Sequence, residues 1–213
     1  MLSRITREHN ADCMMNRLKP QFKSFILSST MALASSAMSQ TAAKPHKVLT
    51  PEQRQYQAQT AQWQTEREAL RVQATNALDA EMQRGTAGDC PDAHSTVDAE
   101  KCLDQAIEVA QKNYLAFTSA LRSMLGLAYP RMPGEKQVSG PTGTPPTATE
   151  LVTDFDQLES QSKKYREAAS TAAYDQFKGG THAPVFEAEM ELKLLRLHLQ
   201  ELSFIYGNEL SNH

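Results

Sequence analysis

Residues 89–125 read DCPDAHSTVDAEKCLDQAIEVAQKNYLAFTSALRSML, and two features of this run decide how the chain folds. The first is the series Leu103, Ile107, Ala110, Tyr114, Phe117, Leu121 and Met124, spaced four, three, four, three, four and three. Apolar residues at that period share one stripe of an α-helix, and an unbroken heptad stripe of the coiled-coil kind packs against other helices. Burying it contributes about 1.5–3 kcal/mol for each large side chain. Ser95 and Asp98 or Thr96 offer caps at its start, and Gly126, Pro130, Pro133 and Gly134 stop it. The second feature is a pair of cysteines, Cys90 in the polar loop and Cys102 near the helix start.

Upstream, Thr50, Pro51 and Gln53 form a helix start with a capping hydroxyl, proline at the first helical position and an amide at the third. The helix continues to Arg84 with sparse apolar positions (Tyr56, Trp63, Leu70, Ala74, Ala77, Leu78), enough for one narrow buried stripe. Gly85 and Gly88 end it, Gly85 being the expected left-handed cap. Downstream, a linker over 128–147 is rich in Pro, Gly, Thr and Ser and is expected to be flexible. A third helix is expected from about Ala148 to Lys178, with Leu151, Phe155, Leu158, Tyr165, Ala169, Ala172 and Phe177 at helical spacing. After Gly179 and Gly180, Thr181 and Pro184 restart a helix to Tyr206, with Leu192, Leu195, Leu199 and Leu202 as its seam. Leu194, Leu197, Phe204 and Ile205 widen that seam. The expected fold is all-α: an antiparallel, four-helix bundle-like domain over 50–210, built from two hairpins.

The N-terminal region reads as a targeting segment. Arg17, Lys19 and Lys23 precede a short apolar run, Phe25 to Met38, that ends in small residues. Removal before Gln40 makes residues 1–39 a signal peptide, with Ser35 and Ala37 offering a second cleavage site, and a translation start at Met14 or Met15 explains Glu8 and Asp12 upstream. A retained helical arm is the alternative. Five of the 22 Lys and Arg and two of the 25 Asp and Glu lie in this segment, leaving 17 basic against 23 acidic residues, a net charge of −6. Such a chain has no electrostatic reason to hold nucleic acid and is steered toward basic partners. Residues 40–49 read as a disordered leader, and no later window is apolar enough for a stable membrane anchor. Cys13 leaves with the signal, so Cys90 and Cys102 remain as an even pair in an oxidising compartment, periplasmic or secreted, and are expected to bridge.

That bridge would fix a loop containing Asp89, Asp92 and His94, a candidate partner-binding surface whose preorganisation lowers the cost of binding. No catalytic motif is present, and no cofactor is called for. His94, His182 and His198 share no metal-ligand spacing, and His198 reads as a boundary residue. Gly179-Gly180-Thr181 lacks the rest of a phosphate-binding loop. The carboxylates, interleaved with Lys and Arg, read as solvated helix faces.

Two stretches carry a family resemblance. Asp89-Cys90, Thr96, Glu100, Cys102-Leu103, Asn113-Tyr114 and Leu121, followed by Tyr165-Arg166-Glu167, Ala172-Ala173-Tyr174, Gly179-Gly180-Thr181, Ala183-Pro184 and Leu194, resemble the Cys-bearing domain of the lysozyme inhibitor LprI-like family over about 89–202. Members often have two further cysteines where this chain places Ser170 and Met190. The resemblance implies a small secreted bacterial helical protein that binds and inhibits a lysozyme without being an enzyme, and the acidic charge suits a basic lysozyme. A competing expectation is an envelope assembly protein that associates through its amphipathic helices.

Overall fold

The computed structural model describes residues 49–132, 134–135 and 145–211; the expected signal peptide, nearly all of the leader and the centre of the linker lie outside them. Every regular element among these residues is helical: α1 Pro51–Ala87, α2 Thr96–Gly126, α3 Ala148–Gln176, α4 Ala183–Ile205 and a one-turn α5 Gly207–Leu210. None is long and apolar enough to cross a membrane.

Local chemistry sets the helix starts. The Thr50 hydroxyl accepts from the Gln53 amide at 3.2 Å while the Gln53 side chain accepts from the Thr50 amide at 3.0 Å, a reciprocal cap that satisfies two otherwise orphaned donors. Thr147 and Glu150 repeat the arrangement at α3. Of the three candidates at α2, Ser95 is the cap, accepting from the Asp98 amide at 3.1 Å.

The end of α1 differs from expectation. Gly85 is helical, and the left-handed residue is Gly88, with φ 87°. Gly85 is needed for space: a Cβ there would lie 2.8 Å from Nε of Arg196 on α4.

Helix α2 buries its stripe as expected, with only Ile107 partly exposed. It lies beside α4, running in the same direction, with α1 and α3 packed on either flank and each helix antiparallel to its sequence neighbour. Phe117, Leu121, Phe155, Leu192, Leu199 and Leu202 are fully buried at the centre. Trp63 of α1 closes one end, its indole N–H donating to the Leu127 carbonyl at 3.4 Å and its ring meeting Tyr129 edge-on at 5.1 Å. The unexpected α5 is tied back to α1 by Arg67 and Glu209 at 3.0 Å.

Two faces depart from the apolar pattern. On α3 the buried residues are Phe155, Ser170 and Ala173, whereas Tyr165, Ala172 and Phe177 face solvent. Leu151, Phe155 and Leu158 pack on the core as expected, but from Glu159 the inner stripe of α3 continues through polar residues, Glu159, Ser162 and Arg166, so apolar periodicity places only the first half of the face. On α4 the leucine seam is buried together with Leu194, but Leu197, Phe204 and Ile205 are exposed. They lie on sides of α4 that no other helix covers.

Replacing Gly85 by Ala should test the close approach of Arg196. Alanine is the better helix former, yet the added methyl group is expected to cost about 1–3 kcal/mol as an overpacked site, read as a lower urea midpoint; unchanged stability would contradict the contact.

Candidate functional site

The loop between α1 and α2 is held from two directions. From the side, Cys90 and Cys102 form a disulfide across 12 residues of sequence, with Cα atoms 6.0 Å apart. Closing a loop of this size is worth roughly 3 kcal/mol in the chain-entropy account. From below, Asp89 joins a group of four alternating charges. Arg196 of α4 clasps its carboxylate with both terminal nitrogens, at 2.8 and 2.5 Å, and Arg84 of α1 adds a third contact. The two guanidiniums then share Glu81 of α1: Arg196 Nε donates to Oε1 at 2.9 Å, and Arg84 donates to Oε1 at 2.6 Å and to Oε2 at 3.0 Å. Asn113 of α2 donates to the same Oε2 at 3.1 Å.

Glu81 is completely buried, so its carboxylate stands only because two guanidiniums and an amide replace its water. The four charges sum to zero. Burial alone would raise the Asp89 pKa, but the hydrogen bonds and charge of Arg196, with those of Arg84, outweigh it and hold the carboxyl below its ordinary value. Asp89 is therefore an internal anchor of the loop, and its charge is already answered within the fold. Asp92 and His94, the other two candidate partner-binding residues, lie on the exposed side of the loop.

The resemblance-bearing residues separate into two sets. Thr96 and Glu100 at the start of α2 and Gly179, Gly180 and Thr181 in the α3–α4 turn line one open groove with Ser95, Val97, Tyr174 and Pro184. Residues some 80 positions apart in sequence thus share one surface next to the stapled loop. Asp89, Asn113, Tyr114 and Arg166 instead point inward, while Tyr165 is exposed on α3. A smaller groove beside the disulfide is lined by Asp89, Cys90, Ala93, Lys193 and Arg196 among others.

A second polar cluster lies deeper. His198 is buried, not a boundary residue: Nε2 meets Glu159 of α3 at 2.7 Å and Nδ1 meets Glu201 at 2.9 Å. Tyr114 donates its hydroxyl to the other Glu159 oxygen, and Arg166 stacks over the Tyr114 ring at 4.8 Å. Burial and the Glu159 carboxylate together push the Tyr114 phenol well above its ordinary pKa. Among the described residues, no three His, Cys, Asp or Glu side chains are grouped to hold a metal ion. The partners in this cluster lie on α2, α3 and α4, so it ties those helices together.

Sequence reasoning missed Glu81, Arg84, Arg196, Glu159 and Arg166 as inward-facing groups. A Glu three residues before an Arg looks the same on a solvated face and over a buried one. Gly85 was the available signal, since a glycine near a helix end reads either as a cap or as a close approach, and here it is the close approach.

Truncating Glu81 to Ala leaves two partly buried guanidiniums short of a carboxylate, and a loss of about 1–3 kcal/mol is expected by chemical denaturation. The acid limb of stability reports on Asp89. Its depressed folded-state pKa contributes stability that is fully present above the unfolded value of about 3.9 and is lost as pH falls through the folded value. Asp89→Asn should be less stable at neutral pH and should show a shallower decline below about pH 4; a curve parallel to wild type would exclude the assignment.

No protein-family model, curated protein or solved structure matches the chain.

Proposed function

We propose that this chain is a secreted or periplasmic non-enzymatic binding protein of the lysozyme inhibitor LprI-like type, whose partner is a basic protein of the lysozyme class. The observation that carries the reading is the single groove lined by Thr96, Glu100, Gly179, Gly180 and Thr181, residues drawn from both halves of the resemblance. Beside it, the loop is tied down by a disulfide and by Arg196 and Arg84, so little ordering remains to oppose binding. Glu100 in the groove and the exposed Asp92 supply negative charge for a basic partner, and the disulfide suits an oxidising compartment.

A turbidity assay of lysozyme acting on cell walls is the direct test. Slower clearing is expected in the presence of this protein, and Glu100→Lys should weaken the effect by about tenfold or more through like-charge contact with a basic partner. Full lysis at a large molar excess of wild-type protein would sink the proposal.

The resemblance itself can be tested without lysozyme. Ser170 is buried with no hydrogen-bond partner for its hydroxyl among the described residues, and Met190 lines a groove between α3 and α4 with Ala169 and Ala173, the neighbours of Ser170 along α3. If these positions correspond to the second cysteine pair of the family, the double variant Ser170→Cys/Met190→Cys should form a second disulfide by mass spectrometry and gain about 3 kcal/mol. Two free thiols after oxidative refolding would count against the correspondence.

A further inference from the structure

The outer face of α4 carries apolar residues beyond its buried seam. Met190, Leu197 and Phe204 recur every seven residues and so share one side of the helix; Met190 is half-buried at the edge of the α3–α4 groove, where Phe186 stacks on Phe177 at 3.9 Å, whereas Leu197 and Phe204 stand clear of the other helices. Leu197 is 50% exposed and Phe204 88% exposed, and Lys193 between Met190 and Leu197 is exposed as well. Scattered exposed apolar residues need no explanation, but a heptad series on one helix face does.

We propose that this face is the contact surface for a second copy of the chain, the two α4 helices crossing antiparallel about a two-fold axis at Leu197. The charges select both partner and direction. In the antiparallel register centred on Leu197, each residue faces the one equally far beyond the axis, so Lys193 meets Glu201 of the second copy, twice by symmetry. A parallel pairing would set Lys193 against Lys193 and Glu201 against Glu201, like charges at both levels. Lys193 makes no ion pair among the described residues, and Glu201 is more than half exposed while touching His198 through one oxygen. The same register places Met190 against Phe204 of the second copy, a sulfur–aromatic contact, and Leu197 against its own equivalent.

The overlap from 190 to 204 spans two heptads, about 21 Å at 1.5 Å per residue, which suits a reversible dimer better than an obligate one. None of the residues in this contact lines the groove that holds Thr96, Glu100 and Thr181, so the lysozyme reading and this one fail separately.

Sedimentation equilibrium of the purified protein from about 1 to 100 µM, a range that brackets weak association, is the test. Wild type should show a concentration-dependent monomer–dimer equilibrium. Leu197→Glu places two carboxylates on the axis and should weaken it by at least about tenfold, a change of 1.4 kcal/mol; Phe204→Ser, at a position outside the core, should act in the same direction. Lys193→Glu should weaken the dimer, and Lys193→Glu/Glu201→Lys should restore it, with helix content checked by circular dichroism because Glu201 also touches His198. A protein that stays monomeric throughout, or a dimer indifferent to both Leu197→Glu and Phe204→Ser, overturns the surface. Failure of the charge swap to restore association in a protein of unchanged helix content overturns the antiparallel register.

Discussion

Much of the structure depends on the pairing of Glu81 and Asp89 with Arg84 and Arg196. Taking a carboxylate fully out of water costs several kcal/mol even after relaxation, and the attraction of an opposite charge repays this only with good geometry. Here the geometry is good: Arg196 holds Asp89 in a two-pronged clasp and reaches Glu81 with its third nitrogen, while Arg84 bridges the same two carboxylates. A group of this kind adds little net stability compared with a well-packed apolar one. What it imposes is register. An apolar stripe can slide along another by a turn at modest cost, but a guanidinium that leaves Glu81 strands a buried charge. The relative heights of α1, α2 and α4, and the position of the loop, are therefore set together.

The disulfide and the ion group act on the same few residues from different sides. Cys90 and Cys102 restrict the loop in the unfolded and folded chain alike, and Asp89, one residue before Cys90, fastens its root to α4. The outward side of the loop is thereby held in place without using its own exposed residues, Asp92 and His94, for support. The His198 cluster does the corresponding work between α2, α3 and α4, with Glu159 shared by His198 and Tyr114. The residues that carry the family resemblance fall into both categories: Asp89, Asn113, Tyr114 and Arg166 hold helices together, and Thr96, Glu100 and the Gly179–Thr181 turn shape a surface. Each set has its own physical reason, packing for one and access for the other.

Much of this was legible before any coordinates. The heptad stripe of α2, the reciprocal caps at Thr50, the leucine seam of α4 and the pairing of Cys90 with Cys102 all follow from local spacing and from counting, because each depends on one helix or one pair of residues. The inner face of α3 was legible only over Leu151, Phe155 and Leu158. Its stripe is polar at Glu159, Ser162 and Arg166, and a polar residue announces burial only when its partners, here Tyr114 and His198, are known to be opposite. The role of Gly85 was misassigned for the same reason: a left-handed cap is a local need, whereas room for Arg196 exists only once α4 is in place.

The sequence by itself determined an all-α chain with long helices, the starts of α1 and α3, and the disulfide that ties the loop to α2. These rest on periodicity, hydrogen-bond capping and covalent chemistry, interactions that act over a few residues or are stated by composition. The tertiary structure alone decided which charged residues turn inward, that Asp89 anchors the loop, that distant motif residues share one groove, and that α4 keeps an apolar face uncovered. Those outcomes depend on what packs opposite each side chain, and desolvating a charge or leaving a leucine in water is a property of that neighbour as much as of the residue itself.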